Sequence, residues 1–125
     1  MSHKIIEPIY TRRDERGEFQ EIIRENPWYT VIVGQMHPGS EMGHHYHIET
    51  TVFFYLLSGS ASIRMIDVGT KAKSFLDIRA GQGVLLVPHQ AHAIHFVEES
   101  NFLMLKSIGY NPENPDTYSF PVPDN

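Results

Sequence analysis

Histidine is the residue type in this chain whose number and spacing suggest a chemically active site. Seven of the 8 histidines lie between His37 and His95. His45 and His47 are separated by Tyr46 alone, and residues two apart in an extended strand point to the same side. Two imidazoles aimed at one point suit a metal site, because histidine is the commonest metal ligand, or a paired acid/base site near neutral pH.

The segments around these histidines predict strands. A Pro38-Gly39 turn precedes them, and the apolar run 52–57 follows before Ser58-Gly59. Similar short runs, separated by turn signals, recur along the chain without a convincing amphipathic helix. The predicted strands are 18–23, 28–36, the histidine strand, 51–57, 61–67, 74–79, 84–87, 93–97 and 102–108. This pattern favours an all-β sandwich or barrel, and the proline-rich tail from Gly109 is expected to form a strap or an edge strand.

Composition narrows the possible functions. With 125 residues, 41% apolar and 20% charged, the chain is expected to form one globular domain. The net charge of -5 argues against nucleic acid or an anionic membrane as a partner. The absence of cysteine excludes disulfides, thiol catalysis and thiolate metal sites. No apolar run has the length of a signal peptide or a membrane span, so a cytoplasmic protein is expected.

Two glycine–histidine segments resemble the paired motifs of the cupin superfamily. They are Gly39, His45-Tyr46-His47 and Gly59 in the first, and Gly81, Val87 and His92 in the second. The resemblance implies a double-stranded β-helix, or jelly-roll β-barrel, as a single domain over 1–125. Motif 1 would span about 39–59 and motif 2 about 81–96, with their histidines converging inside the barrel.

Carried over by position, His45, His47 and His92 match the three histidine ligands of the cupin metal site. The glutamate position of the first motif holds Val52, and the terminal asparagine position of the second motif holds Phe96. Glu49 could replace the missing carboxylate if the strand continued that far. The resemblance therefore implies a divalent transition metal (Zn, Fe, Mn, Ni or Cu), held by the three imidazoles and, if Glu49 replaces the missing glutamate, by a carboxylate in a mixed nitrogen/oxygen site.

The two ends of the chain resemble sugar-nucleotide enzymes. Residues 14–19 look like the D-x-R-G-x-F element of epimerases related to dTDP-4-dehydrorhamnose 3,5-epimerase. Residues 111–118 look like the closing segment of the cupin domain of bifunctional capsular-polysaccharide sugar-nucleotide reductases. This resemblance implies a nucleotide-sugar ligand, and Arg16 matches the arginine of the first element. A guanidinium group can bind a pyrophosphate in bidentate fashion, as Arg12, Arg13 and Arg64 could also do.

These observations lead to an isomerase- or epimerase-like enzyme acting on a keto-sugar nucleotide or another small carbonyl compound. His45 and His47 would act as general acid and base next to the carbonyl if no metal is bound. A tyrosine could serve as the acid, and Tyr55 is also a candidate for substrate binding. The candidates for the acid are Tyr46, Tyr55, Tyr110 and Tyr118. A homodimer formed through edge strands and terminal segments is expected.

Three other interpretations stay open at this point. The histidines could be buried polar residues with ordinary hydrogen-bond partners. The chain could be a non-catalytic module that binds small molecules such as sugars, which Val52 at the glutamate position favours because apolar packing there would shrink a polar site. It could also be a metal-dependent oxygenase, since three-histidine cupin sites occur in that class.

Overall fold

The protein is all-β, as the sequence predicts. The computed structural model describes residues 4–25, 27–109 and 111–124. Within these residues there are eleven strands and no helix. The strands are β1 (Tyr10–Asp14), β2 (Gly17–Glu21), β3 (Thr30–Met36), β4 (Glu41–Tyr46), β5 (Val52–Ser58), β6 (Ser60–Asp67), β7 (Lys73–Arg79), β8 (Gly83–Leu86), β9 (Gln90–Phe96), β10 (Ser100–Lys106) and β11 (Tyr118–Ser119).

Two antiparallel sheets form the body of the molecule. One sheet has the order β3-β10-β5-β8, and the other has the order β11-β4-β9-β6-β7. The hairpin β1–β2 forms a separate two-stranded sheet, which accounts for the charged segment around Arg13 and Arg16. Successive strands of the chain mostly alternate between the two large sheets, which is the connectivity of a jelly roll. Within the described part of the chain, no helix is long and apolar enough to cross a lipid bilayer.

The core lies between the inner faces of the two large sheets. Val52, Phe54 and Leu56 alternate along β5 and are almost completely buried. The ring of Phe54 packs against the rings of Phe96 and Phe102 from the two sheets, at centroid distances of 6.1 and 5.4 Å. Burial of such aromatic and aliphatic side chains supplies the main driving force for closing the sheets against each other.

The tail of the chain crosses the outer face of the five-stranded sheet. There β11 pairs with β4, so the prediction of a strap or edge strand is confirmed. Val122 is buried against Ile66, Ala91 and Ala93, with Phe120 packed beside them. The tail is therefore fixed to the strand that carries His45.

Candidate active site

A β-bulge in β4 decides where the histidines point. Gly43 lies opposite Ala93 and His45 lies opposite His92, so His44 is the extra residue between the two pairs. Gly43 and His44 both have positive φ angles, of 104° and 56°. Without the extra residue, the alternation that places Met42 on the inner face would turn His44 inward and His45 outward. The bulge reverses this, so that His45 and His47 face the interior.

Three imidazoles converge on the inner side of the sheet. The ring centroids of His45 and His92 are 4.8 Å apart, and those of His45 and His47 are 5.0 Å apart. The ring of His47 lies 5.7 Å from that of His92. Potential ligand atoms of all three residues lie within 4.8 Å of one another. The structure thus brings the predicted histidines of both motifs to one point.

The tautomer of His47 is fixed by the tail. Its Nδ1 atom lies 2.8 Å from the backbone carbonyl oxygen of Asp116. Because a carbonyl oxygen can only accept, Nδ1 must carry the proton, which leaves the lone pair of Nε2 free. The Asp116 carboxylate in turn accepts hydrogen bonds from the backbone N–H groups of Ile48, Glu49 and Thr50 and from the Thr50 hydroxyl. Asp116 therefore orients the ring of His47 through its backbone carbonyl, and it fixes the turn after His47 through its carboxylate.

The three imidazoles are neutral near physiological pH. Burial, together with the charges of His47 and Lys106, lowers the pKa of His45 to about 4. Burial and the neighbouring His45 and His47 lower the pKa of His92 to about 3. Burial also lowers the pKa of His47, although the Asp116 carbonyl opposes this shift. Neutral imidazoles can ligate a metal or accept a proton, but they cannot supply one as imidazolium acids.

The lowered pKa values of the histidines predict that the folded state loses stability as the pH falls from 6.5 to 4.5. A histidine with a folded pKa below its unfolded value, about 6.5, binds protons more readily in the unfolded chain, so unfolding becomes easier as the pH falls. We expect the free energy of unfolding, measured by urea denaturation with a chelator present, to fall over this window. His92→Gln should flatten the dependence. Equal slopes for the parent and the variant would contradict the prediction. Carboxylates with lowered pKa, such as Asp116, contribute at lower pH.

The histidines line a cavity of about 70 Å³. Its apolar wall includes Val52, which occupies the position of the glutamate in the cupin motif, and Met104. Lys106 is the charged member of the lining. A second depression adjoins this cavity, because His47 and Lys106 border both. Thr50 and Thr117 also border the second depression. The site is therefore a small, largely apolar chamber with three bases and one ammonium group.

The donor set fits a divalent transition ion. Three neutral imidazoles within reach of one another are the ligands that Zn and related ions accept. Among the described residues, no carboxylate joins the three histidines as a further ligand. The positive charge of Lys106 acts against a cation at this point. The three histidines thus fit a metal, with an affinity weakened by the charge of Lys106.

The structure corrects the expectation for Glu49 and separates Tyr55 from the histidines. β4 ends at Tyr46, so Glu49 lies in an exposed turn and is not one of the grouped ligands. On β5, Val52 and Phe54 face inward, so Phe53 and Tyr55 face the opposite side, where Phe53 packs on Trp28. The Tyr55 ring stacks on that of Phe53 and not on the site.

The other tyrosines proposed as acids do not line the cavity either. Tyr46 points to the outer face, where its ring stacks on that of Tyr118 at 5.3 Å. Tyr110 lies outside the described residues. No tyrosine of the described chain borders the histidine cavity. If an acid or oxyanion partner is needed, the described lining offers Lys106.

The arginines lie away from the histidines. Arg16 is exposed on the turn of the β1–β2 hairpin, where it donates to the Asp14 carboxylate at 2.6 Å. Its neighbours there include Arg12 and Phe19, which border a separate depression. Arg64 is buried on the outer face and donates to the backbone carbonyls of Val122 and Pro123. Arg64 therefore anchors the tail, and within this chain Arg16 does not reach the cavity.

Two residues of the site escaped the sequence analysis. Lys106 continues the inward alternation of Phe102 and Met104, so a charge at an apolar position was the available signal. Asp116 lies 69 residues from its partner His47, and no local pattern announces that contact.

Comparison with known proteins identifies relatives of this fold. The family described as "Polysaccharide biosynthesis C-terminal domain" matches residues 12–118. No curated protein matches the chain in sequence. The capsular polysaccharide assembling protein CapF from Staphylococcus aureus is 26% identical with a TM-score of 0.71, over 92% of this chain and 35% of CapF. This chain thus spans about a third of CapF.

Two sugar-nucleotide enzymes share the fold at lower identity. ChmJ, a 3'-monoepimerase from Streptomyces bikiniensis in complex with dTDP-quinovose, is 21% identical with a TM-score of 0.77, over 94% of this chain and 68% of ChmJ. A 3,4-ketoisomerase from Helicobacter canadensis is 20% identical with a TM-score of 0.76, over 94% of this chain and 90% of that enzyme. The predicted jelly-roll cupin fold, of the kind found in RmlC, is confirmed.

Proposed function

Because the chain belongs to the polysaccharide biosynthesis C-terminal domain family, we propose that it is an isomerase- or epimerase-like enzyme acting on a keto-sugar nucleotide. The observation that carries the proposal is the free Nε2 lone pair of His47 in a cavity lined by two further neutral imidazoles. A neutral imidazole is the form that removes a proton from a carbon next to a carbonyl group. Similar chemistry in the 3'-monoepimerase and 3,4-ketoisomerase that share the fold supports it.

The chain's own residues account for proton transfer at a single carbon. The Nδ1–H group of His47 is held by the Asp116 carbonyl, so the ring keeps its orientation when Nε2 takes a proton. Val52 and Met104 form apolar walls beside the base, and His47 itself is buried. The cavity of about 70 Å³ would admit part of a sugar ring, while the diphosphate and nucleoside extend outside.

The test is exchange of substrate hydrogen with solvent. We expect the protein in D₂O to introduce deuterium into dTDP-4-keto-L-rhamnose or a uridine diphosphate 4-keto sugar, observed by proton NMR and mass spectrometry. His47→Gln should abolish the exchange. His37→Gln is the matched control, because His37 is exposed and lies outside the cavity. No deuterium incorporation by the parent protein with any of these compounds would contradict the proposal.

As the alternative to a free base at His47, a bound divalent transition metal is proposed for the same site, because one lone pair cannot serve both roles. His45, His47 and His92 would hold it, and it would supply Lewis-acid polarisation of a carbonyl oxygen. This alternative predicts near-stoichiometric metal in untagged protein by plasma mass spectrometry and little in His45→Ala, and such a result would overturn the role of His47 as a base. Glu49→Gln should retain the parent's content, since Glu49 lies outside the grouped ligands. Equal trace metal in all three proteins would leave His47 as a base.

A non-catalytic sugar-binding module is the second candidate. Val52 at the motif's glutamate position and the small apolar cavity favour it. It predicts binding of a nucleotide sugar, measured by calorimetry, with no deuterium incorporation and no effect of chelator. Exchange that disappears in His47→Gln would exclude it.

We also propose that the chain forms a homodimer through β3 and the β1–β2 hairpin. β3 is an edge strand of its sheet, and Val31 and Val33 on its outer face are 66% and 71% exposed. The hairpin carries exposed Tyr10 and Phe19 as well. Light scattering should give twice the monomer mass for the parent and the monomer mass for a Val31→Lys, Val33→Lys variant; a monomeric parent would overturn the proposal.

A further inference from the structure

Lys106 places a charge on the inner face of β10. Phe102 and Met104, two and four residues earlier on the same face, belong to the buried core. Lys106 continues this alternation and is itself partly buried. Moving an ammonium group towards an apolar interior costs free energy unless a partner compensates it. A cation at this position therefore calls for an anionic or strongly polar partner.

The described residues do not provide that partner. No aspartate or glutamate of the described chain forms an ion pair with Lys106. Its side chain instead borders the histidine cavity and the adjoining depression next to His47. Its charge also acts on all three histidines, in each case disfavouring the protonated ring. Lys106 and the free lone pair of His47 thus face the same small space.

We propose that Lys106 is a catalytic residue of the function proposed above, and that its ammonium group donates a hydrogen bond to the carbonyl oxygen of the keto sugar. This inference rests on the proposed function. The described lining of the cavity contains no other cation and no tyrosine, so Lys106 is its sole donor of positive charge to a developing oxyanion. A preorganised cation in a site that excludes water is an effective way to stabilise such an oxyanion.

The step balances with the groups present. His47 Nε2 takes the proton from the carbon next to the carbonyl, and the C–H electron pair becomes a carbon–carbon double bond. The carbonyl π pair moves to oxygen, whose negative charge is held by Lys106. Delivery of a solvent proton to the same carbon from the other face gives an epimer, and His47 then releases the abstracted proton to solvent. Alternatively, a solvent proton on the oxygen gives an enediol; the hydroxyl on the deprotonated carbon then loses its proton to solvent and becomes the new carbonyl, while His47 returns its proton to the former carbonyl carbon, so that a ketoisomer forms without oxidant or reductant.

The experiment compares the parent with Lys106→Met and Lys106→Arg. Deuterium incorporation into dTDP-4-keto-L-rhamnose and a uridine diphosphate 4-keto sugar is measured at saturating substrate. We expect Lys106→Met to slow incorporation by about 100-fold, the loss typical for one oxyanion donor, and Lys106→Arg to restore part of it. Methionine fits an inward apolar position, so the variant should fold, and Lys106→Gln serves as a second variant if it does not.

The outcomes separate the two proposals. Incorporation by the parent at the same rate as Lys106→Met would overturn the role of Lys106 and leave the proposed function standing. Absence of incorporation by the parent overturns both. Binding of the substrate at equilibrium, measured by calorimetry, should change far less than the rate, because the carbonyl oxygen carries its full charge only in the transition state. An equal loss of binding and rate would show ground-state binding alone and would overturn the catalytic role.

Discussion

Gly43→Ala is expected to abolish activity while the protein still folds. A Cβ atom at position 43 would lie 2.6 Å from the backbone oxygen of His92 and 3.3 Å from its ring atom Cδ2. The φ angle of 104° at Gly43 is in addition one that alanine rarely adopts. Relief of this clash requires β4 and β9 to move apart where His45 faces His92. A displacement of about 1 Å at a reacting group can lower a rate by about 100-fold.

The control for this variant is Gly39→Ala. Gly39 also has a positive φ, of 82°, but a Cβ atom there meets nothing within 4 Å. Both variants carry backbone strain, worth about 1–3 kcal/mol, and only Gly43→Ala disturbs the histidines. Urea denaturation should show a loss of stability in both, and deuterium incorporation should be lost only in Gly43→Ala. Full activity in a folded Gly43→Ala protein would show that the close approach of β4 to His92 is not needed.

The same bulge marks the limit of what the sequence predicts. Alternation correctly places His45 and His47 on one side of the chain, because β4 stays extended through Tyr46 and His47 follows it directly. Which face of the sheet they occupy depends on the bulge, in which His44 is an extra residue between two paired positions of β4 and β9. Pairing between distant strands cannot be read from local pattern, although Gly43 directly before the histidines is a residue that bulges often use.

Glu49, Lys106 and Asp116 show where local reasoning ends. The prediction for Glu49 needed β4 to extend past Tyr46. The chain turns after His47 instead, because the Asp116 carboxylate accepts hydrogen bonds from the backbone N–H groups of residues 48–50. Lys106 could have been recognised as a charge on the inward face of an otherwise apolar strand. The fold was predictable because many short strands agree on it, whereas the site depends on a few long-range contacts.

Asp116→Ala is expected to give the second large effect, on stability and activity together. The Asp116 carboxylate is 4% exposed and accepts four hydrogen bonds from the turn after His47. Burial opposes its ionisation, but the hydrogen bonds from Ile48, Thr50 and Glu49 prevail and hold its pKa below the usual value. Each buried donor left without a partner costs about 1–3 kcal/mol. Since water can reach part of the turn, we expect a loss of about 3 kcal/mol in the free energy of unfolding.

The loss of activity has a separate cause that a control can isolate. Asp67 also accepts backbone hydrogen bonds through its carboxylate, from Gly69 and Thr70, but it does not line the cavity that holds the three imidazoles. Asp67→Ala should therefore reduce stability and keep the exchange activity. In Asp116→Ala the tail carbonyl is no longer held against His47 Nδ1, so long-range proton–nitrogen NMR should show His47 as a mixture of tautomers. A single Nδ1–H tautomer in that variant would mean that the carbonyl stays in place without the carboxylate, and the activity should then survive with it.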